Sequence, residues 1–250
     1  MRAWALVLFG LFFGTAGAAE RVVSLNLCTD QYLLALAPER AAGVTFLARD
    51  PALSVMAEAA AGVDAVRADA EAVLALRPDL VLATRWGARA TLEALARRGV
   101  VIERLDLPAD FPAIRVATRR MGALLGAAAR AEAMLVAMDA TLAALPRASA
   151  RDAIALEPRG LTAGPDSLRG AVLRAAGLAN AADGRAISLE ALAGMPGVLL
   201  VTAPRPASPS RATAWLAHPV LARHARREVP AALTICGGPW TADAVALLAR

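Results

Sequence analysis

The chain has 250 residues, 58% of them hydrophobic and 20% charged, with a formal net charge of +5. That content excludes disorder and leaves ample core for one large or two smaller domains, while beyond residue 20 no uncharged apolar run of about 18 residues exists to span a membrane. All 27 basic residues are arginines, spread singly among Asp and Glu rather than gathered into the stripe that nucleic-acid binding requires.

At the start, Arg2, an apolar stretch over 3–13 and the small run Ala16-Gly17-Ala18 have the form of a cleaved export signal over 1–18. The mature chain is expected to begin near Ala19 and to work in the periplasm. No cysteine stands at the cleavage site, so a lipid anchor there is not indicated. In an oxidising compartment the two cysteines, Cys28 and Cys236, can form one disulfide and no more.

Apolar runs rich in Val, Ile and Leu predict short buried strands over 21–26, 43–48, 80–83, 100–105, 152–156, 198–202 and 233–236. Helical patterns fall between them, over 31–37, 69–76, 90–98, 167–176, 189–193 and 241–249. Strands alternating with helices argue for parallel βα units, and the continuous apolarity of the strands argues for helices on both faces of each sheet. Residues 113–145 interrupt this rhythm with a proline-free stretch bounded by Pro112 and Pro146. It reads as one helix, which at 1.5 Å per residue would be about 50 Å long and run along two lobes; the alternative is two helices broken near Gly122 or Gly126.

The flanks of that stretch resemble each other. EAVLALRPDLVLA (71–83) and EALAGMPGVLLV (190–201) each place an acidic residue at the opening of a short helix, then a proline, then an apolar strand. Upstream, 21–37 and 151–178 each run strand, loop, helix. The reading is an α/β fold of two Rossmann-like lobes with parallel sheets, 19–110 and 148–250, joined by a single long α-helix over 111–147. Ligands of open α/β sheets bind at the carboxyl ends of strands, so facing lobes would offer a cleft lined by post-strand loops.

The chemistry-bearing residues are few. Only His218 and His224 are present, without carboxylate or cysteine partners at metal-ligand spacing, so no resident metal or cofactor is expected. His218 reads as a helix-boundary or surface residue. No nucleophile-elbow motif supports a triad built on His224, and Cys28 lacks the second cysteine of a redox motif. GLTAGPDSLRG (160–170) reads as a turn with Asp166 capping the following helix. The post-strand loops hold more: Leu27, Cys28 and Thr29; Arg85 and Trp86; Pro158 and Arg159; Pro204 and Arg205; and CGGPW, ending in Trp240. Aromatic, arginine and small residues there suit a bulky ligand with anionic edges.

The export signal, RVVSLNLCTDQYLLALA, AEAVLALRPDLVLA, the uninterrupted helix, GLTAGPDSLRGAVLRAAGL, ISLEALAGMPGVLLV and the terminal PWTADAVALLA together resemble, over essentially the whole mature chain, the periplasmic binding proteins of ferric-siderophore, haem and cobalamin ABC importers. The resemblance implies two lobes on one rigid helix, a shallow cleft between them and limited hinge motion. It implies a monomer that captures a metal chelate, a ferric siderophore or cobalamin, and delivers it to an ABC permease without chemistry, with Glu71 and Glu190 docking on permease arginines. Stacking is expected from Trp86 or Trp240 and ion pairing from Arg85, Arg159 and Arg205. Two departures modify the picture. Haem-binding members place tyrosine or histidine on iron, whereas the one tyrosine, Tyr32, falls in a predicted helix, which disfavours haem. Cys28 and Cys236 fall on loops of opposite lobes, and a bridge between them would span the cleft. The competing reading is a periplasmic enzyme on the same scaffold, chelatase-like or thiol-dependent.

Overall fold

The computed structural model describes residues 19–145, 151–205 and 210–249; the proposed signal, 1–18, lies outside them. The first lobe contains strands β1 (Val22–Ser24), β2 (Ala41–Gly43), β3 (Leu80–Thr84) and β4 (Val101–Leu105), with helices α1 (Leu27–Leu36), α2 (Ala57–Ala60), α3 (Ala70–Ala75) and α4 (Arg89–Arg97). All pairings are parallel, in the order β2-β1-β3-β4. β3, LVLAT, is buried along its whole length, which is why its sequence is continuously apolar rather than alternating.

Helices α5 (Phe111–Leu124) and α6 (Ala128–Ala143) follow, and then the second lobe. That lobe holds β5 (Arg151–Ala155), β6 (Leu178–Asn180), β7 (Leu199–Thr202) and β8 (Arg226–Glu228), with α7 (Leu168–Ala175), α8 (Leu189–Ala193), α9 (Arg211–Ala214) and α10 (Thr241–Leu248). Its sheet is again parallel, in the order β6-β5-β7-β8, the same winding as the first. The duplication read from the two proline-strand segments is thus a duplication of topology: α3 leads into β3 and α8 into β7, each a central strand.

Several expectations need correction. The bridge is not one long helix. Gly126 takes a left-handed φ of 64° and turns the chain between α5 and α6, a conformation that favours glycine at a helix end. The helices then pack antiparallel, with Arg115 paired to Asp139 and Arg119 Nε 2.7 Å from Glu132. Gly122 allows the close approach, since a Cβ there would fall 2.5 Å from that of Ala131. Each helix of this hairpin serves both lobes. Ala117, Met121, Leu125 and Ala131 lie in the first lobe's core, while Phe111, Ile114, Leu135 and Met138 lie in the second's.

The apolar run 43–48 is not a strand: pairing with β1 ends at Gly43, Val44 makes only an isolated bridge to Ala65, and Phe46–Arg49 forms a 3-10 turn. The run 233–236 is not a strand either. The last strand is the edge segment β8, whose residues Arg226, Arg227 and Glu228 are at most partly buried and carry no apolar signal. α7 is capped by Ser167, whose hydroxyl accepts from the Gly170 amide at 3.1 Å, rather than by Asp166.

Candidate functional site

In both lobes the helices begin where the parallel strands end, so the carboxyl edges of the sheets carry the loops of interest. After β1, Asn26 caps α1 by accepting from the Cys28 amide at 2.9 Å. This turns Cys28 and Thr29 inward. Cys28 is 6% exposed and Thr29 fully buried, the latter sharing a 2.7 Å hydrogen bond with Ser24 Oγ. Both side chains are thus turned into the core, against the expectation that they line a ligand loop. Cys28 is instead disulfide-bonded to Cys236. The bridge forms, but it lies buried among core side chains rather than across an open cleft.

Next in α1, buried Asp30 accepts from the amide of Thr45 at 3.2 Å and from its hydroxyl at 2.5 Å. Burial pushes the carboxyl up to about 6, against the lowering effect of its hydrogen bonds to Ser24 and Thr45. Through Thr45, Asp30 fixes the start of the turn whose first residue, Phe46, is 72% exposed. Gln31 holds the far end of the same loop, its side-chain carbonyl accepting from the Val55 amide at 3.0 Å.

After β3, Thr84 Oγ1 donates to the Trp86 carbonyl at 2.9 Å, and left-handed residues Gly87 and Ala88 turn the chain into α4. Trp86 is left 78% exposed. Arg85 makes a two-point ion pair with Asp106 after β4, which holds the Asp106 carboxyl below its ordinary value. Beyond it, Leu107 is 47% exposed.

In the second lobe, Arg159 is exposed in a left-handed conformation (φ 63°) beside Gly160. Gly160 is required, because a Cβ there would fall 2.3 Å from the Ile187 carbonyl oxygen. Arg159 shares a surface hollow with Ser188, Glu190 and Trp215, so the structure joins a predicted ligand arginine to a predicted docking glutamate. Leu161 and Ile235 are exposed after β5 and β8, and Arg205 is exposed after β7. Arg169, on α7, pairs with Glu157 and donates to Thr234 Oγ1 at 3.2 Å, with burial lowering its pKa.

Trp240, expected to stack on a ligand, is turned into the core. It is 8% exposed, its indole N–H donates to the Cys236 carbonyl at 3.1 Å, and its ring packs on Tyr32 at a centroid distance of 5.4 Å. Tyr32 is fully buried, donates to the Gly237 carbonyl at 3.0 Å, and has its phenol pushed up to about 12 by burial. His218 is an exposed cap, its Nδ1 accepting from the Val220 amide. Among the described residues no group of three or more His, Cys, Asp or Glu side chains is placed to hold a metal ion.

Phe46, Leu107, Leu161 and Ile235 were missed by sequence reasoning. With Trp86, they make up most of the large apolar side chains exposed among the described residues, and each follows a strand end. For Leu107 the available signal was an unpatterned apolar residue just past a predicted strand; Phe46 and Ile235 were hidden inside the predicted strands 43–48 and 233–236.

A family model described as periplasmic binding protein matches residues 22–224. The chain belongs to the periplasmic binding protein family. Among solved structures, this binding protein is similar to a periplasmic heme binding protein from Pseudomonas aeruginosa, at 26% identity over 92% of this chain and 91% of that one, with a TM-score of 0.69. The periplasmic vitamin B12 binding protein of Vibrio cholerae matches at 17% identity over 92% and 95% of the two chains, with a TM-score of 0.63. An ABC-type Fe3+-hydroxamate transport system from Saccharomonospora viridis matches at 19% identity over 93% and 92%, with a TM-score of 0.67. At those identities the last two show a shared fold alone. Comparison with curated proteins gives no match.

Proposed function

We propose that the protein works in the periplasm, capturing a metal chelate, either a ferric siderophore or cobalamin, between its lobes and delivering it to an ABC permease without chemistry. The observation that carries this reading is the set of exposed apolar side chains past the strand ends, above all Trp86 and Phe46. Large apolar groups left in water at one edge of a sheet mark a binding surface, and aromatic faces suit a rigid, bulky ligand. Arg85, Arg159 and Arg205 supply cations for its anionic edges. The named neighbours bind haem or vitamin B12, or carry Fe3+-hydroxamate, all metal chelates. Haem ranks below the other two here because buried Tyr32 offers no oxygen to iron.

Glu71 and Glu190 are exposed in the first turns of α3 and α8. These helices hold corresponding places in the two lobes, which favours their reading as a paired docking contact. The thiol-dependent enzyme reading loses its nucleophile, because both cysteines of the chain are paired.

Calorimetric titration with cyanocobalamin, a ferric-siderophore panel and haem tests the assignment. Saturable 1:1 binding of one of the first two is expected, and silence from all of them would sink it. In a transport assay, Glu71→Ala with Glu190→Ala should abolish uptake and leave ligand affinity intact. Lost affinity would place these residues in the cleft instead. Intact mass of the exported protein should show 1–18 removed.

A further inference from the structure

Between β8 and α10 the chain leaves the second lobe's core and enters that of the first. Cys236 and Trp240 pack with Tyr32, Leu33, Leu80 and Leu82, whereas Ala242, Val245 and Leu248, immediately after, return to the second lobe's core. Three contacts of different kinds hold the segment: the Cys28–Cys236 bond, with Cα atoms 5.2 Å apart; the Tyr32 hydroxyl on the Gly237 carbonyl; and the Tyr32–Trp240 ring contact. Gly237 fits only as glycine, since a Cβ there would fall 2.7 Å from the Pro108 carbonyl oxygen.

We propose that residues 236–240 form a covalent clasp between the lobes that sets the width of the cleft before any ligand arrives. The α5–α6 hairpin alone does not lock the angle, because packed helices can slide past one another by small shears. A disulfide has a narrow range of Cα separations, and this one ties the first turn of α1 to the second lobe across 208 residues of chain. Its sulfurs stay closed in the folded protein: Cys28 is 6% exposed and Cys236 fully buried, and thiol exchange requires access to sulfur. The clasp is independent of which ligand binds.

The test places fluorescent donor and acceptor on p-acetylphenylalanine substituted at Arg97 and Ala186, exposed positions on the first and second lobes, with both native cysteines kept. One narrow distance distribution is expected. The same probes in Cys28→Ala with Cys236→Ala should give a distribution about twofold or more broader, as additional lobe angles become populated. Equal widths in the two backgrounds would overturn the proposal. Amide exchange on the unsubstituted protein decides the matter even where the alanine variant fails to fold. The amides of Cys236, Gly237, Gly238 and Trp240 should exchange as slowly as those of β5 and β7, and exchange at the rate of exposed loops would overturn it.

Discussion

Helices α1 and α7 hold the same place in their lobes, each following the first central strand, yet nine of the ten residues of α1 are buried against four of the eight in α7. α7 is amphipathic, with one face on its sheet and the other toward solvent. α1 is covered on both sides, by β1 and β3 beneath and by Tyr32's partners in 236–240 on the other. Its polar residues Thr29, Asp30 and Gln31 are therefore buried too, and each bonds a different element, Ser24, Thr45 and the Val55 amide, although Gln31 Nε2 is left without a partner. Equal topology thus does not mean equal duty. The first lobe provides the core that the second lobe's tail enters, and a loop wall anchored on α1.

The largest test of this contrast sets two tryptophans against each other. Trp240→Ala should cost about 3–5 kcal/mol in chemical denaturation, as truncation of a buried aromatic does. Trp86→Ala should stay within about 0.5 kcal/mol, because its ring stands in water. Similar losses from the two would erase the distinction.

Asp30 gives a pH signature that α7 lacks. Its folded pKa, raised from 3.8 to about 6 by burial, means that its favourable contribution is complete below about 4 and is lost as pH rises through 6. Unfolding free energies measured from pH 4 to 7 should therefore improve for Asp30→Asn relative to the parent as pH rises, by on the order of 2–3 kcal/mol across the window. A difference independent of pH would show that the carboxyl is not held in a desolvated site. The hairpin turn comes next: Gly126→Ala, at φ 64°, should lower stability by about 1 kcal/mol. Smallest is Asp106→Ala, which removes an exposed, solvent-screened ion pair with Arg85 and should leave the melting temperature essentially unchanged.

Much of the fold was legible because buried parallel strands are apolar throughout: LVLA and VLLVT needed no partner to be recognised. What failed has physical causes. Edge strand β8 reads RRE because it is half covered, and β6 is only three residues long. The run LTIC imitates a strand because it enters another lobe's core, and Gly122 and Gly126 marked a possible break in the alanine-rich stretch without showing that φ would turn positive at Gly126. At the candidate site, Arg85 and Trp86 were placed past a strand by the sequence, and the structure leaves both exposed there. Trp240 was misjudged on the same rule, since that rule places a residue in the chain and does not say which way the ring turns.

In the proposed reading the ligand meets the exposed Trp86 ring past β3. Once a chelate is found, its calorimetric titration into Trp86→Ala and Trp240→Phe tests this most directly. Trp86→Ala should weaken binding about tenfold while Trp240→Phe leaves it unchanged. Loss of affinity in Trp240→Phe with Trp86→Ala unaffected would contradict it.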